Sequence, residues 1–205
     1  MKLHGSAFSP YVRKIRVLLK EKNIACEFVL EDPWPDGSTI PSMNPLGKVP
    51  VLQIGPDKFL FESIAVAHYL DHLDGKPLQP ADAAGYWQSQ WWQALGNGMI
   101  DAVIARVLET RRPADKQMPE KMAREETRIA RAFGAAEHEF AGGTFLAGGR
   151  FTLADLVMGV ACQYIDLRYP HDWRSQYPRL KQWFSGIAAR PSFMGTLPPG
   201  FSPVV

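Results

Sequence analysis

Residues 48–52 read K-V-P-V-L and place a proline within a predicted β-strand that spans residues 49–54. Proline has no amide hydrogen to donate to a ladder, so its presence favours an edge strand. The alternative is a cis bond between Val49 and Pro50, which would turn the backbone N–H and C=O of Val49 outward. Those two groups would then suit an extended, peptide-like ligand that binds as an added strand. The residues alone leave both interpretations open.

The residues on either side of this strand alternate between strand and helix patterns, which is typical of an α/β domain. Apolar runs predict strands at residues 1–4, 25–31 and 59–61, and in the second of these Cys26, Phe28 and Leu30 should share an inward face. Helical spacing predicts helices at residues 10–23 and 64–73. Residues 32–47 hold four prolines and two glycines and are predicted to form a surface loop. The predicted order is strand, helix, strand, strand, strand, helix.

The pattern changes after residue 73. The stretch D-G-K-P-L-Q-P-A-D-A-A-G has the composition of a linker, and every later periodic stretch is helical. We therefore predict an α/β domain at residues 1–75, a linker at 76–84 and an all-helical domain at 85–205. Helices are predicted at residues 86–109, 120–140 and 178–189. Thr152 and Asp155 predict a capping box that opens one more helix.

Charge and composition exclude several function classes. The net charge is +2, from 23 basic and 21 acidic side chains, which gives no electrostatic reason to expect nucleic acid or an anionic membrane as a partner. The N-terminus lacks the apolar core of a signal peptide, and no run reaches the roughly 18 apolar residues of a membrane span, so a cytoplasmic location is expected. Cys26 and Cys162 are predicted to be buried thiols. The five histidines form no ligand-spaced cluster, so no metal is expected.

Glu62 and Ser63 lie where the fourth predicted strand gives way to a helix. The free N–H groups of a helix N-terminus, together with the Ser63 hydroxyl, suit a carboxylate, and the Glu62 side chain suits an ammonium group. The pair would therefore fit the free end of an amino acid. The alternative is that Ser63 only caps the helix, with an acidic residue beside it in the first turn.

Ser9 begins the stretch S-P-Y-V-R-K and precedes a proline and an amphipathic run. This is the position of a helix N-cap, so the serine either only caps the helix or presents its hydroxyl for chemistry. Ser6 and Tyr11 are the competing hydroxyls nearby.

Taken together, these motifs resemble a family. The stretches S-P-Y-V-R-K, N-P-L-G-K-V-P-V-L, F-E-S-I-A-V-A-H-Y-L and F-T-L-A-D-L, in this order and spread over nearly the whole chain, are similar to those of cytosolic, bacterial-type glutathione S-transferases with a serine-type active site. The resemblance implies a thioredoxin-like N-terminal domain that binds glutathione, followed by an all-helical C-terminal domain that helps to bind the second substrate.

The resemblance also implies roles for individual residues. Val49 would contact the cysteine of glutathione through its backbone, with cis Pro50 shaping that contact. Glu62 and Ser63 would hold the γ-glutamyl end, and Lys48 is a candidate for the glycine carboxylate. Ser9 would point its hydroxyl at the glutathione sulfur, with Ser6 as the alternative. A hydrogen bond to the sulfur is worth about 1.5 to 3 kcal/mol, enough to make the thiolate dominant near neutral pH.

The implied activity is conjugation of glutathione to a small hydrophobic electrophile, by a homodimer that needs no cofactor beyond glutathione as co-substrate. Cysteine-type relatives carry Cys at the position of Ser9, so disulfide exchange is not favoured. The alternatives are a glutathione-dependent peroxidase or isomerase, or a non-catalytic interaction protein of the same fold. Aromatic and arginine side chains are candidates for the second-substrate pocket: Phe8, Tyr11, Trp34, Arg106, Tyr164 and Arg168.

Overall fold

The computed structural model describes residues 1–34, 36–169 and 171–203, and it divides the chain into two units. The first unit comprises Met1–Leu78 together with Arg190–Ser202, and the second contains Gln79–Ala189. Over the described residues, none of the helices combines the length and the apolar character that a membrane crossing requires.

The first unit is built on a four-stranded mixed sheet. Its strands are β1 (Lys2–Gly5), β2 (Glu27–Leu30), β3 (Val51–Gly55) and β4 (Lys58–Phe61), in the spatial order β2-β1-β3-β4. β1 pairs with β2 in parallel, while β3 is antiparallel to both β1 and β4. The helices of this part are α1 (Pro10–Glu21), α2 (Ile40–Met43) and α3 (Ser63–His72). This order confirms the predicted α/β pattern and is that of a thioredoxin-like domain.

The sheet corrects three sequence-based expectations. β3 begins at Val51 and lies between two partners, so Pro50 precedes the ladder and the edge-strand interpretation is wrong. The edge strands are instead β2 and β4, and Leu30 at the end of β2 is 72% exposed and does not face inward. The stretch predicted to be an irregular loop contains the short helix α2.

The second unit is all-helical, as predicted. Its helices are α4 (Ala83–Thr110), α5 (Pro119–Glu139), α6 (Leu153–Arg168), α7 (Trp173–Gln176) and α8 (Pro178–Ala188). α4 is continuous through Gly96, where an added Cβ would lie 3.0 Å from Val157 and 3.2 Å from the Met158 amide nitrogen. The glycine therefore permits close packing of α4 against α6.

The predicted capping box at the start of α6 is present and fully buried. The Asp155 carboxylate accepts hydrogen bonds from the Thr152 amide at 3.0 Å, the Leu146 amide at 2.8 Å and the Trp183 indole N–H at 3.0 Å. Burial raises the pKa of Asp155, although these hydrogen bonds oppose the shift. One carboxylate thus joins the N-terminus of α6 to the preceding loop and to α8.

The two cysteines differ in environment. Cys162 is fully buried, and burial raises the pKa of its thiol, as expected for a small core residue. Cys26 is only half-buried beside the edge strand, so the expectation that it is a core residue is wrong.

Residues 190–202 group with the first unit, whereas the sequence predicts that they belong to the helical domain. The short helix α9 (Pro191–Met194) packs against α1. Arg190 donates two hydrogen bonds to the Glu21 carboxylate, at 2.8 and 2.7 Å, and Arg13 donates one to the Phe193 carbonyl at 3.2 Å. These contacts join residues that are about 170 to 180 positions apart in the sequence, so local patterns could not reveal them.

Candidate functional site

The chain approaches β3 through a loop that Asn44 holds in place. Asn44 is 1% exposed; its side-chain N–H donates to the Lys48 carbonyl at 2.7 Å, and its side-chain oxygen accepts from the Leu46 amide at 3.0 Å. Gly47 within this loop has a φ of 62°, which favours glycine. Asn44 is not among the residues that the sequence patterns predicted to be functional. The Asn-Pro dipeptide at residues 44–45 was the signal available, because such pairs initiate turns.

The loop leads into a cis Val49–Pro50 bond, which confirms the cis bond predicted as the alternative to an edge strand. Pro50 is buried and Val49 is partly exposed, at the point where the chain enters β3. The Lys48 side chain is exposed, while its carbonyl is held by Asn44. The backbone that would meet a peptide-like ligand is therefore fixed by a buried side chain.

Glu62 has an unusual backbone conformation at the start of α3. Its φ is 68° and its ψ is 116°, a region that a residue with a Cβ rarely occupies. The residue is exposed, and its carboxylate accepts from the Ile64 amide at 3.3 Å and from the Ser63 hydroxyl at 3.1 Å. Such outliers cost about 1 to 3 kcal/mol and cluster at ligand-binding sites. It is thus Glu62, and not Ser63, that caps α3.

Ser9 is the N-cap of α1, as the sequence predicted. Its hydroxyl oxygen accepts from the Val12 amide at 3.3 Å, and its own amide donates to the Ser6 carbonyl at 3.2 Å. The capping bond uses a lone pair of the hydroxyl oxygen and leaves the hydroxyl proton available for donation. Ser9 can therefore cap α1 and donate to an anion at the same time. The competing hydroxyl of Ser6 accepts from the Phe8 amide at 3.4 Å.

The candidates for the second-substrate pocket are divided between the two units. Phe8, Tyr11 and Trp34 belong to the first unit, where Phe8 and Trp34 are exposed. Arg106 and Tyr164 belong to the second. Their assignment to a substrate pocket stays a prediction.

Arg106 already has partners within the second unit. Its Nε atom lies 2.7 Å from the Glu126 carboxylate, and its guanidinium lies 4.4 Å from the centre of the Tyr169 ring. The positive charge of Arg106 is therefore balanced by a neighbouring carboxylate. Over the described residues, no three His, Cys, Asp or Glu side chains come together as a metal site.

Comparison with known proteins identifies the family. Residues 3–78 match the model described as glutathione S-transferase, N-terminal domain, and residues 119–185 match the model described as glutathione S-transferase, C-terminal domain. An uncharacterized GST-like protein of Escherichia coli strain K12, YibF, is 33% identical over 97% of this chain and 99% of its own length. Glutathione S-transferase 3 of Zea mays is 30% identical over 96% of this chain and 93% of its own.

Comparison with a solved structure identifies the same family. The crystal structure of a glutathione S-transferase from Methylobacillus flagellatus, with glutathione bound, has a TM-score of 0.91 and 33% identity, over 96% of this chain and 98% of that one. The agreement extends over both units. The chain therefore belongs to the glutathione S-transferase family.

Proposed function

We propose that this protein binds glutathione and activates its thiol for conjugation to a small hydrophobic electrophile. The observation that carries the proposal is the conformation of Glu62, whose exposed carboxylate is oriented at the N-terminus of α3 by Ser63 and Ile64. A carboxylate beside free helix amides matches the adjacent ammonium and carboxylate of the γ-glutamyl group. The relative from Methylobacillus flagellatus, solved with glutathione bound, supports the same ligand.

The other proposed contacts with glutathione come from the loop that leads into β3. The backbone of Val49, next to Pro50, pairs with the cysteine of glutathione in the manner of an added strand. Lys48, exposed at the end of the loop, pairs with the glycine carboxylate. Each end of the tripeptide thus meets an opposite charge.

The proposed chemistry is substitution by the glutathione thiolate. Ser9 donates its hydroxyl proton to the sulfur in a hydrogen bond, and the N-terminus of α1 adds a favourable dipole. With an aryl halide as the electrophile, a carbon–sulfur bond forms, the carbon–halogen bond breaks, the halide leaves, and the thiol proton passes to solvent. No further cofactor takes part in this step.

We also propose that the protein works in the cytoplasm as a homodimer. Two tryptophans near the start of α4, Trp87 and Trp91, are 69% and 41% exposed, which supports association through an apolar surface. Analytical ultracentrifugation tests the dimer, and a monomer at micromolar concentration would contradict it.

Glutathione binding and turnover are tested separately. Calorimetry should show binding of glutathione and at least 100-fold weaker binding of cysteinylglycine, which lacks the γ-glutamyl end that Glu62 and Ser63 hold. Aryl halide turnover should then depend on glutathione. Equal affinity for the two peptides would refute the site, whereas binding without turnover would point to the non-catalytic alternative.

A further inference from the structure

Two histidines lie one helical turn apart on α3. His68 and His72 are four residues apart, which places them on the same face of the helix. Their rings are nearly parallel, with an angle of 23° between the ring planes and 6.3 Å between the ring centres. His72 is exposed, and His68 is partly exposed. Two imidazole side chains are therefore held close together at a surface that solvent reaches.

A hydrogen bond determines which nitrogen of His72 is free to bind a ligand. The Nδ1 atom of His72 lies 2.9 Å from the His68 carbonyl oxygen. A carbonyl oxygen can only accept, so Nδ1 carries the ring hydrogen, and the free lone pair of the neutral imidazole is at Nε2. Histidines that bind metal ions commonly donate their other ring nitrogen to a backbone carbonyl in this way. The His72 ring therefore has the tautomer of a metal ligand that binds through Nε2.

The ring of His68 has no competing partner. Among the described residues, neither of its ring nitrogens takes part in a hydrogen bond or an ion pair. One metal ion about 2.0 to 2.1 Å from a nitrogen of each ring would hold the two ring centres about 5 to 6 Å apart. The observed separation of 6.3 Å is close to that range, so a small rotation of the His68 side chain suffices to bring both rings onto one ion.

The carboxylates near the end of α3 are not further ligands, because they already pair with a lysine. Asp71 and Asp74 lie 3.6 Å and 2.8 Å from the Lys22 ammonium group. Asp71 is also fully buried and accepts a hydrogen bond from the Leu78 amide at 2.8 Å. No third His, Cys, Asp or Glu among the described residues joins the two histidines as a ligand. The pair therefore offers two protein ligands and leaves the other coordination positions to water.

We propose that His68 and His72 together bind a divalent late transition-metal ion, with Cu²⁺ bound more tightly than Ni²⁺ or Zn²⁺. Imidazole nitrogens suit these three ions, whereas Mg²⁺ and Ca²⁺ prefer oxygen ligands, and the order follows the general stability series of first-row ions. The spacing of the histidines along the chain predicted no metal site. The tautomer of His72 and the separation of the two rings, which the sequence does not show, favour one.

The proposed metal site is separate from the proposed contacts with glutathione. His68 is six residues beyond Glu62, which is about 9 Å along the helix axis. The metal ion would link two successive turns of α3 without touching the N-terminus of that helix. The inference therefore goes beyond the proposed function and does not depend on it.

Calorimetry with NiCl2 tests the site on the full chain, prepared without a histidine tag and without glutathione, whose thiol would compete for the metal. Wild type should bind Ni²⁺, and MgCl2 should give no binding. His68→Ala and His72→Ala should each weaken Ni²⁺ binding at least 10-fold, because each removes one of only two protein ligands. Circular dichroism melting in the presence of a chelator confirms that both variants are folded.

His138→Ala is the matched control, since His138 is an exposed histidine in the last turn of another helix, α5. It should leave Ni²⁺ affinity unchanged. Three results would each overturn the inference: no binding of Ni²⁺ by wild type, equal losses in His138→Ala and His72→Ala, or full affinity in both α3 variants. The last would mean that His72 only caps the end of α3 through its hydrogen bond to a backbone carbonyl.

A second measurement asks whether one ion contacts both histidines. An ion bound to two successive turns stabilises the folded state, so NiCl2 should raise the melting temperature of wild type and leave that of His68→Ala unaltered. The electron paramagnetic resonance spectrum of Cu²⁺-loaded wild type should show coupling to two imidazole nitrogens, and that of His68→Ala coupling to one. Coupling to a single nitrogen in wild type would overturn the two-histidine site.

Discussion

The Ser63 hydroxyl donates a hydrogen bond to the Glu62 carboxylate at 3.1 Å, and the same carboxylate oxygen accepts from the Ile64 amide at 3.3 Å. The two bonds orient the carboxylate at the start of α3 before any ligand arrives. A preoriented group loses little side-chain freedom on binding, so more of its interaction energy appears as affinity.

Replacing Glu62 by Ala should weaken glutathione binding by about 2 to 4 kcal/mol, because the ligand's ammonium loses its charged partner. Calorimetry measures the change. Glu27→Ala is the control, since Glu27 is an exposed acid whose partner is Lys2 at 3.3 Å, and it should leave affinity unaltered. Unchanged affinity in Glu62→Ala would contradict the assignment.

Replacing Ser9 by Ala distinguishes capping from activation. Loss of the cap alone should reduce stability by about 1 kcal/mol and leave the pKa of bound glutathione unaltered. Loss of the sulfur's hydrogen bond should raise that pKa by roughly one to two units and lower turnover at neutral pH about 10-fold to 100-fold, with affinity little changed. We expect the second result. Thiolate absorbance, titrated against pH, measures it.

Ser6→Ala is the control in the same titration. It should leave the pKa of bound glutathione where it is in wild type. A shift in Ser6→Ala without one in Ser9→Ala would assign activation to Ser6 and leave Ser9 as an N-cap only.

Replacing Asn44 by Ala should disturb the loop that leads into β3. The Lys48 carbonyl and the Leu46 amide both lose a buried partner, so the free energy of unfolding should fall by about 1 to 3 kcal/mol. Glutathione affinity should fall as well, because Val49, whose backbone is proposed to pair with glutathione, comes next in the chain after this loop. Ser42→Ala, at an exposed residue nearby, should change neither quantity. Loss of stability with full affinity would limit Asn44 to a structural role.

Replacing Asp155 by Ala should lower the melting temperature and the free energy of unfolding, the latter by about 3 kcal/mol. The variant loses the Asp155 half of the capping box, whose N-cap is Thr152, and leaves the Leu146 amide and Trp183 indole donors buried without an acceptor. The matched control is Asp172→Ala, which removes an exposed cap from α7 and should cost about 1 kcal/mol or less. Intact stability with abolished turnover would instead identify Asp155 as a catalytic residue.

Replacing Glu21 by Gln should reveal a pH-dependent contribution to stability. Burial raises the pKa of Glu21, but its hydrogen bonds with Arg190 and Ser192 outweigh burial, so the net shift is downward. The contribution of Glu21 to stability is therefore fully present above the ordinary pKa of Glu. It is lost as the pH falls through the pKa that Glu21 has in the folded protein. At pH 7, urea unfolding should show wild type about 1 to 3 kcal/mol more stable, and below about pH 4 the difference should shrink. A difference independent of pH would exclude this ion pair as the cause.

The sequence could predict features that depend on residues close together in the chain, and it could not predict features that depend on how distant segments pack. The capping box of Thr152 and Asp155 and the N-cap at Ser9 are local patterns, and both were predicted. The conformation of Glu62 and the hydrogen bonds of Asn44 depend on how a loop meets the sheet. Neither hydrophobic periodicity nor secondary-structure propensity indicates such a contact. The exposure of Leu30 follows from its position on an edge strand, which is a property of the whole sheet. The candidate glutathione residues came from the family resemblance and not from the patterns alone.

Because Arg190 pairs with Glu21, the first unit can be completed only after the second unit has been synthesised. A ribosome releases residues 79–189 before it releases the segment that completes the first unit. Met1–Leu78 therefore waits for its last helix, α9, until the helices α4 to α8 of the second unit have been synthesised. A nascent chain that has emerged from the ribosome only as far as residue 189 would carry the helices α4 to α8 behind an N-terminal unit that still lacks α9.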